Sequence, residues 1–126
     1  MKAITIEWRH LVEKGNTCMR CSDTGQALNL VIEQLNKECR NCGWRIDFIE
    51  TPLSAMDIAE SNSILINGAP IEDILPGAES GESHCESCCE MIGTSTNCRT
   101  VEFAGDSFAA IPESMIHSAI CRVAGC

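Results

Sequence analysis

The stretch AITIEWRHLV, Ala3 to Val12, sets Ile4, Ile6 and Trp8 at every second position, the signature of a strand with one buried face. From Asp23 the apolar period lengthens. Leu28, Val31, Ile32, Leu35 and Cys39 recur at helical spacing, and Asp23 with Gln26 resembles a capping box. Asn41 and Gly43 supply a stop. Period two returns in WRIDFIETPL, where Trp44, Ile46 and Phe48 alternate with Arg45 and Asp47 until Pro52. A strand, a helix and a strand with short links form a βαβ unit, so the two strands are expected to be parallel with a right-handed crossover. No other feature narrows the fold as far: the chain is α/β.

Further along, SAMDIAES (Ser54 to Ser61) reads as a short helix of two turns. SILINGAPIEDIL reads as a hairpin. Ile64 and Ile66 lead in, Asn67-Gly68 makes the turn, and Ile71 and Ile74 lead out. The next segment, PGAESGESHCESCCEMIGTSTNC, has no periodicity and is expected to be a loop or small insert, bounded at residues 77–98. RTVEFAGDSFAAI predicts two more short strands about Ala104-Gly105-Asp106. Pro112 stands at a natural first helical position, and Met115, Ile116, Ala119, Ile120 and Val123 form an apolar stripe that Gly125 ends. Residues 1–126 are expected to be a single domain with the cysteine-rich insert inside it. Trp8 and Trp44 are expected in the core, and His10 and His117 at the surface.

The net charge of -9 argues against nucleic acid, which wants a basic stripe. No apolar run approaches membrane-spanning length, so no membrane partner is expected. The N-terminus carries Glu7, Arg9 and His10 where an export signal would be apolar, and a reducing cytoplasm is the expected compartment. Against that compartment, ten cysteines in 126 residues turn the reading from a disulfide scaffold toward metal or redox chemistry.

The first pair, Cys18 and Cys21 in TCMRCSDT, is a Cys-x-x-Cys motif between the first strand and the first helix. A thiolate attacks where a thiol does not, and an open helix N-terminus stabilises an anion. Cys18 is therefore the candidate nucleophile and Cys21, inside the first turn, the resolving thiol. Arg20 adds positive charge nearby. Metal ligation and simple packing of two small side chains are the alternatives. The order β-α-β-α-β-β-α with this motif resembles the thioredoxin-like superfamily over most of the chain except the insert. More narrowly, TCMRCSDT with ILINGAPIEDIL and AIPESMIHSAI looks like a bacterial and archaeal family of thioredoxin-like proteins carried as a domain of unknown function. The resemblance implies a cis-proline at the start of the third strand. Ser61, Asn62 or Ser63 stands there instead, and a cis bond without proline costs about 2.5–4 kcal/mol, so a trans peptide is expected.

The insert gathers His84, Cys85, Cys88, Cys89 and Cys98. Cys85 and Cys88 have the spacing of a zinc knuckle, and Cys98 with Cys89 or His84 completes four ligands. So apolar-poor a segment needs a staple, whether zinc, an iron–sulfur cluster or a disulfide. A bound cation would also relieve repulsion among Glu79, Glu82, Glu86 and Glu90. A thioredoxin-like hairpin would bring this insert beside Cys18 and Cys21. Cys39, Cys42, Cys121 and Cys126 close the first and last helices and form a second candidate metal set, although Cys39 and Cys121 also fit apolar stripes. The leading function is thiol–disulfide exchange on a protein or small-molecule substrate. The rival is binding of zinc, mercury, copper(I) or arsenite by the same thiolates. A structural interaction module is the third.

Overall fold

The computed structural model describes residues 2–12, 15, 19–38, 43–84, 93 and 97–125. Strand β1 (Lys2–Leu11) and strand β2 (Trp44–Leu53) are joined by helix α1 (Met19–Glu38) and run parallel, from Lys2 opposite Trp44 to Leu11 opposite Leu53. The expected βαβ unit is present. A 3-10 segment (Ala55–Glu60), broken at Asp57 (φ -107, ψ 21), stands where a two-turn helix was expected and leads into β3 (Ser63–Ile66). Strand β3 lies antiparallel to β1 on the side away from β2, and β4 (Ala69–Pro70) pairs antiparallel with β3. The sheet order is thus β2-β1-β3-β4.

Strand β1 is central, and its even positions face the core. Ile4 and Ile6 are fully buried and Trp8 nearly so, in one cluster with Leu28, Val31 and Leu35 of α1 and Ile64 and Ile66 of β3. Each such aliphatic side chain stabilises the fold by about 1.5–3 kcal/mol relative to exposure. Helix α3 (Glu113–Ala124) adds Met115, Ile116, Ala119 and Ile120 to that cluster and packs against α1. Pro112 flanks α3 as its cap, one position outside its expected place, and Gly125 ends the helix in the left-handed region at φ 84.

Three further elements differ from expectation. Helix α1 begins at Met19 rather than Asp23, because Cys21 and Thr24 prolong its buried face. Thr24 is polar yet fully buried, and its Oγ1 accepts the Ile111 N–H at 3.0 Å, so the stripe does not read as apolar in the sequence. The outgoing arm of the hairpin is only Ala69–Pro70. Ile71 to Ile74 instead form one helical turn, α2, since an Ile pair three apart suits a helix as well as a strand edge and Pro70 offers no ladder donor. The turn itself is as expected, with Asn67 at φ 52 and Gly68 at φ 85.

The insert is the third. Its ends are strands: β5 (Glu79–His84) and β6 (Asn97–Phe103) pair antiparallel, and β7 (Asp106–Phe108) completes a second, three-stranded sheet. Strand β5 reads ESGESH and offers no apolar period; its order comes from pairing with β6, whose Thr100 and Val101 are buried. Arg99 of β6 grips Glu72 of α2 with two guanidinium nitrogens, Nη1 to Oε1 at 3.0 Å and Nη2 to Oε2, which ties the small sheet to the large one.

Candidate functional site

Cys21 lies in the first turn of α1 and is only 1% exposed. Its Sγ lies 3.4 Å from Ser61 Oγ, just ahead of β3, and that same hydroxyl accepts the Leu11 N–H from the end of β1 at 3.1 Å. Three elements therefore meet at one hydroxyl. Cys18 lies outside the described residues; in sequence it immediately precedes Met19, the first residue of α1. Unpaired N–H groups at a helix opening and a hydroxyl within reach both favour a thiolate over a thiol.

Where a proline was expected by resemblance, Asn62 follows Ser61 in a left-handed conformation (φ 62), and no cis peptide bond occurs among the described residues. Asparagine tolerates that region better than most residues. Its buried side chain is used at both ends: Oδ1 accepts Trp8 Nε1–H at 3.3 Å, and Nδ2 donates to the Ala109 carbonyl at 2.9 Å.

A cleft of about 430 Å³ opens between β1 and α1, lined by Trp8, His10, Ser22, Gln26, Asn29 and Glu50 among others. The surface expectation for His10 is overturned. Only 4% of it is exposed, its ring stacks on Trp8 with centroids 3.8 Å apart at 16°, and Nε2 lies 3.5 Å from Glu50 Oε2. The signal was available: period two puts position 10 on the same face as Ile4, Ile6 and Trp8. Gly25 lets Trp8 approach α1, since a Cβ there would sit 2.5 Å from the indole.

The opposite face of β1 carries a charged set. Glu7 accepts from Arg9 Nε at 2.9 Å and from Thr51 Oγ1 at 2.8 Å, while Arg9 Nη1 reaches Glu60 at 3.1 Å. The hydrogen bond from Arg9, helped by Thr51 and the Arg9 charge, outweighs burial and holds the Glu7 carboxyl below its ordinary range. Glu7 in turn raises Arg9.

Of the expected metal ligands, Cys39, Cys42, Cys85, Cys88, Cys89 and Cys126 lie outside the described residues. His84 ends β5 and Cys98 lies in β6; the register pairs His84 with Asn97 and Ser83 with Cys98. Cys121 is disulfide-bonded, so it would join a thiolate set only after reduction. Its Sγ lies 3.8 Å from Nδ1 of His117, which is half-buried rather than at the surface. Among the described residues no three His, Cys, Asp or Glu side chains converge on a point that would hold a metal ion.

Fold and site define a mixed α/β protein that holds a cysteine at the opening of its first helix. The chain belongs to the family described as a domain of unknown function (DUF2703), whose model matches residues 4–120. It is 34% identical over 103 residues to an uncharacterized protein of Archaeoglobus fulgidus, an alignment covering 79% of this chain and 72% of that protein. No solved structure gives a significant match. No helix among the described residues is long and apolar enough to cross a membrane.

Proposed function

We propose that the protein is a thioredoxin-like thiol–disulfide oxidoreductase working through Cys18 and Cys21. The observation that carries this reading is the Cys21 sulfur in the first turn of α1, 3.4 Å from the Ser61 hydroxyl just ahead of β3. The thioredoxin-like arrangement sets its redox pair beside the start of the third strand. The sheet order β2-β1-β3-β4, with β1 and β2 parallel and β3 and β4 antiparallel to their neighbours, supports the same assignment.

In the reaction the Cys18 thiolate attacks one sulfur of a substrate disulfide. The substrate S–S bond breaks, a mixed disulfide forms, and the departing substrate thiolate takes up a proton. Cys21 then gives up its proton and attacks the Cys18 sulfur, releasing the second substrate thiol and leaving a Cys18–Cys21 disulfide. Two electrons pass from the protein dithiol to the substrate, and a small dithiol restores the reduced protein. Ser61 is the positioning residue: its hydroxyl accepts from the Cys21 thiol or donates to the thiolate. A reducing cytoplasm is the compartment in which such a pair would work.

With insulin as substrate and dithiothreitol as electron source, Cys18→Ser abolishes reduction while the circular dichroism spectrum stays native. Cys21→Ser stalls at a mixed disulfide that mass spectrometry finds on Cys18. Unchanged turnover in Cys18→Ser overturns the reading.

One observation favours a second role for the insert. The β5–β6 ladder brings His84 and Asn97 side by side, so Cys85, Cys88 and Cys89 lie in a segment closed at its base, with Cys98 beside that base. Zinc suits four thiolates in tetrahedral geometry; softer ions compete for them. Protein purified anaerobically without chelator then carries stoichiometric metal and gains melting temperature with zinc. Cys39, Cys42, Cys121 and Cys126 would add a second equivalent only after the Cys121 disulfide is reduced.

A further inference from the structure

We infer that the cleft between β1 and α1 binds the ammonium group of a small aminothiol disulfide. Its volume of about 430 Å³ lies within the range of small-molecule sites, about 300–1,000 Å³. Its back wall is rigid. Trp8 is held by stacking with His10, by the hydrogen bond from its indole N–H to Asn62, and by close contact with Gly25. Its front is polar. Ser22, Gln26 and Asn29 fall at i, i+4 and i+7 on α1 and turn one polar strip of the helix to the cleft.

Charge chooses the ligand. Among the described lining residues Glu50 is the one carboxylate; its Oε2 lies 3.5 Å from His10 Nε2, and the side chain is 53% exposed and therefore open to a ligand. A protein of net charge -9 also concentrates small cations around itself. Gly15 and Ser22, which bracket the Cys18–Cys21 motif in sequence, both line the cleft. A ligand seated there lies beside the entry to α1. The disulfide part of this assignment rests on the exchange reading above; the ammonium part does not.

The test separates the two. Reduced wild-type protein is titrated calorimetrically with hexane-1,6-diamine, a redox-inert isostere of cystamine, and with octanedioate, its diacid counterpart. The diamine binds and the diacid does not, and Glu50→Gln weakens diamine binding about tenfold, as loss of one charge-assisted contact implies. In turnover, cystamine and two protein thiols give two aminothiols and the Cys18–Cys21 disulfide, which dithiothreitol reduces. Cystamine is reduced faster than 3,3′-dithiodipropionate, and Glu50→Gln narrows the gap. Failure of the diamine to bind, equal binding of the diacid, or no effect of Glu50→Gln overturns the ammonium site even if both disulfides are reduced. Glu50-dependent diamine binding with neither disulfide reduced keeps the ammonium site and removes the disulfide substrate along with the exchange reading.

Discussion

In the four-stranded sheet, β1 sends Ile4, Ile6 and Trp8 into a core closed by α1 and α3. In the three-stranded sheet, β5 reads ESGESH and sends no large apolar side chain anywhere. The first sheet is ordered by area removed from water, and its long strands β1 and β2 declare themselves alone. The second depends on pairing and on a few anchors: the buried Val101, Phe103 and Phe108 packed against the core, and the ion pair of Arg99 with Glu72. A hydrophobic sheet tolerates polar decoration at its rim, as β1 does with Glu7 and Arg9. A polar sheet leans on its few anchors.

That contrast can be broken most directly at Arg99. Side chains of Glu72 and Arg99 are 7% and 15% exposed, so Arg99→Ala leaves a carboxylate shielded from water without its partner. A loss of about 3–5 kcal/mol is expected in urea denaturation, with hydrogen exchange accelerating first in β6. A loss under about 1 kcal/mol would mean the apolar anchors suffice. Gly25→Ala probes the large sheet. Its Cβ would press on Trp8 at 2.5 Å, and overpacking costs about 1–3 kcal/mol, with quenching or shift of indole fluorescence. Ser61→Ala removes the acceptor that Leu11 N–H uses and the hydroxyl beside Cys21, for about 1 kcal/mol. It also slows resolution of the mixed disulfide, which Ser61→Thr restores. The smallest effect lies on the charged face of β1. The Glu7 carboxyl titrates lower in the folded chain than its ordinary 4.5, so its contribution is fully present above that value and is lost as pH falls through the folded value. Glu7→Gln flattens that acid limb of the stability curve by less than about 1 kcal/mol, because the pair is partly solvated.

What could be read in the sequence follows the same division. Ile4, Ile6 and Trp8, the α1 stripe from Leu28 to Leu35, and the Asn67-Gly68 turn all carry local period or local backbone preference, and each appears where it was expected. Strand β5 could not be read, because its order comes from a partner strand and no periodicity marks it. The first turn of α1 was hidden by Thr24, whose hydroxyl serves a backbone amide 87 positions away. The pair of Glu72 and Arg99 spans 27 positions and leaves no local trace. At the site, Cys21 was found from its spacing. His10 was misjudged because its residue type outweighed its place in the alternation, and the contribution of Glu50 needed the parallel register of β1 and β2, which sets it opposite Trp8.

Asn62 deserves a last consequence. One amide side chain grips the indole of Trp8 and the carbonyl of Ala109, on the approach to α3. Anything that tilts that ring from the cleft side must pull on the amide, and the pull arrives two residues short of Ile111. Occupancy would then be audible from behind the wall, as a change in the amide resonances of Ala109 to Ile111, where no visitor ever touches.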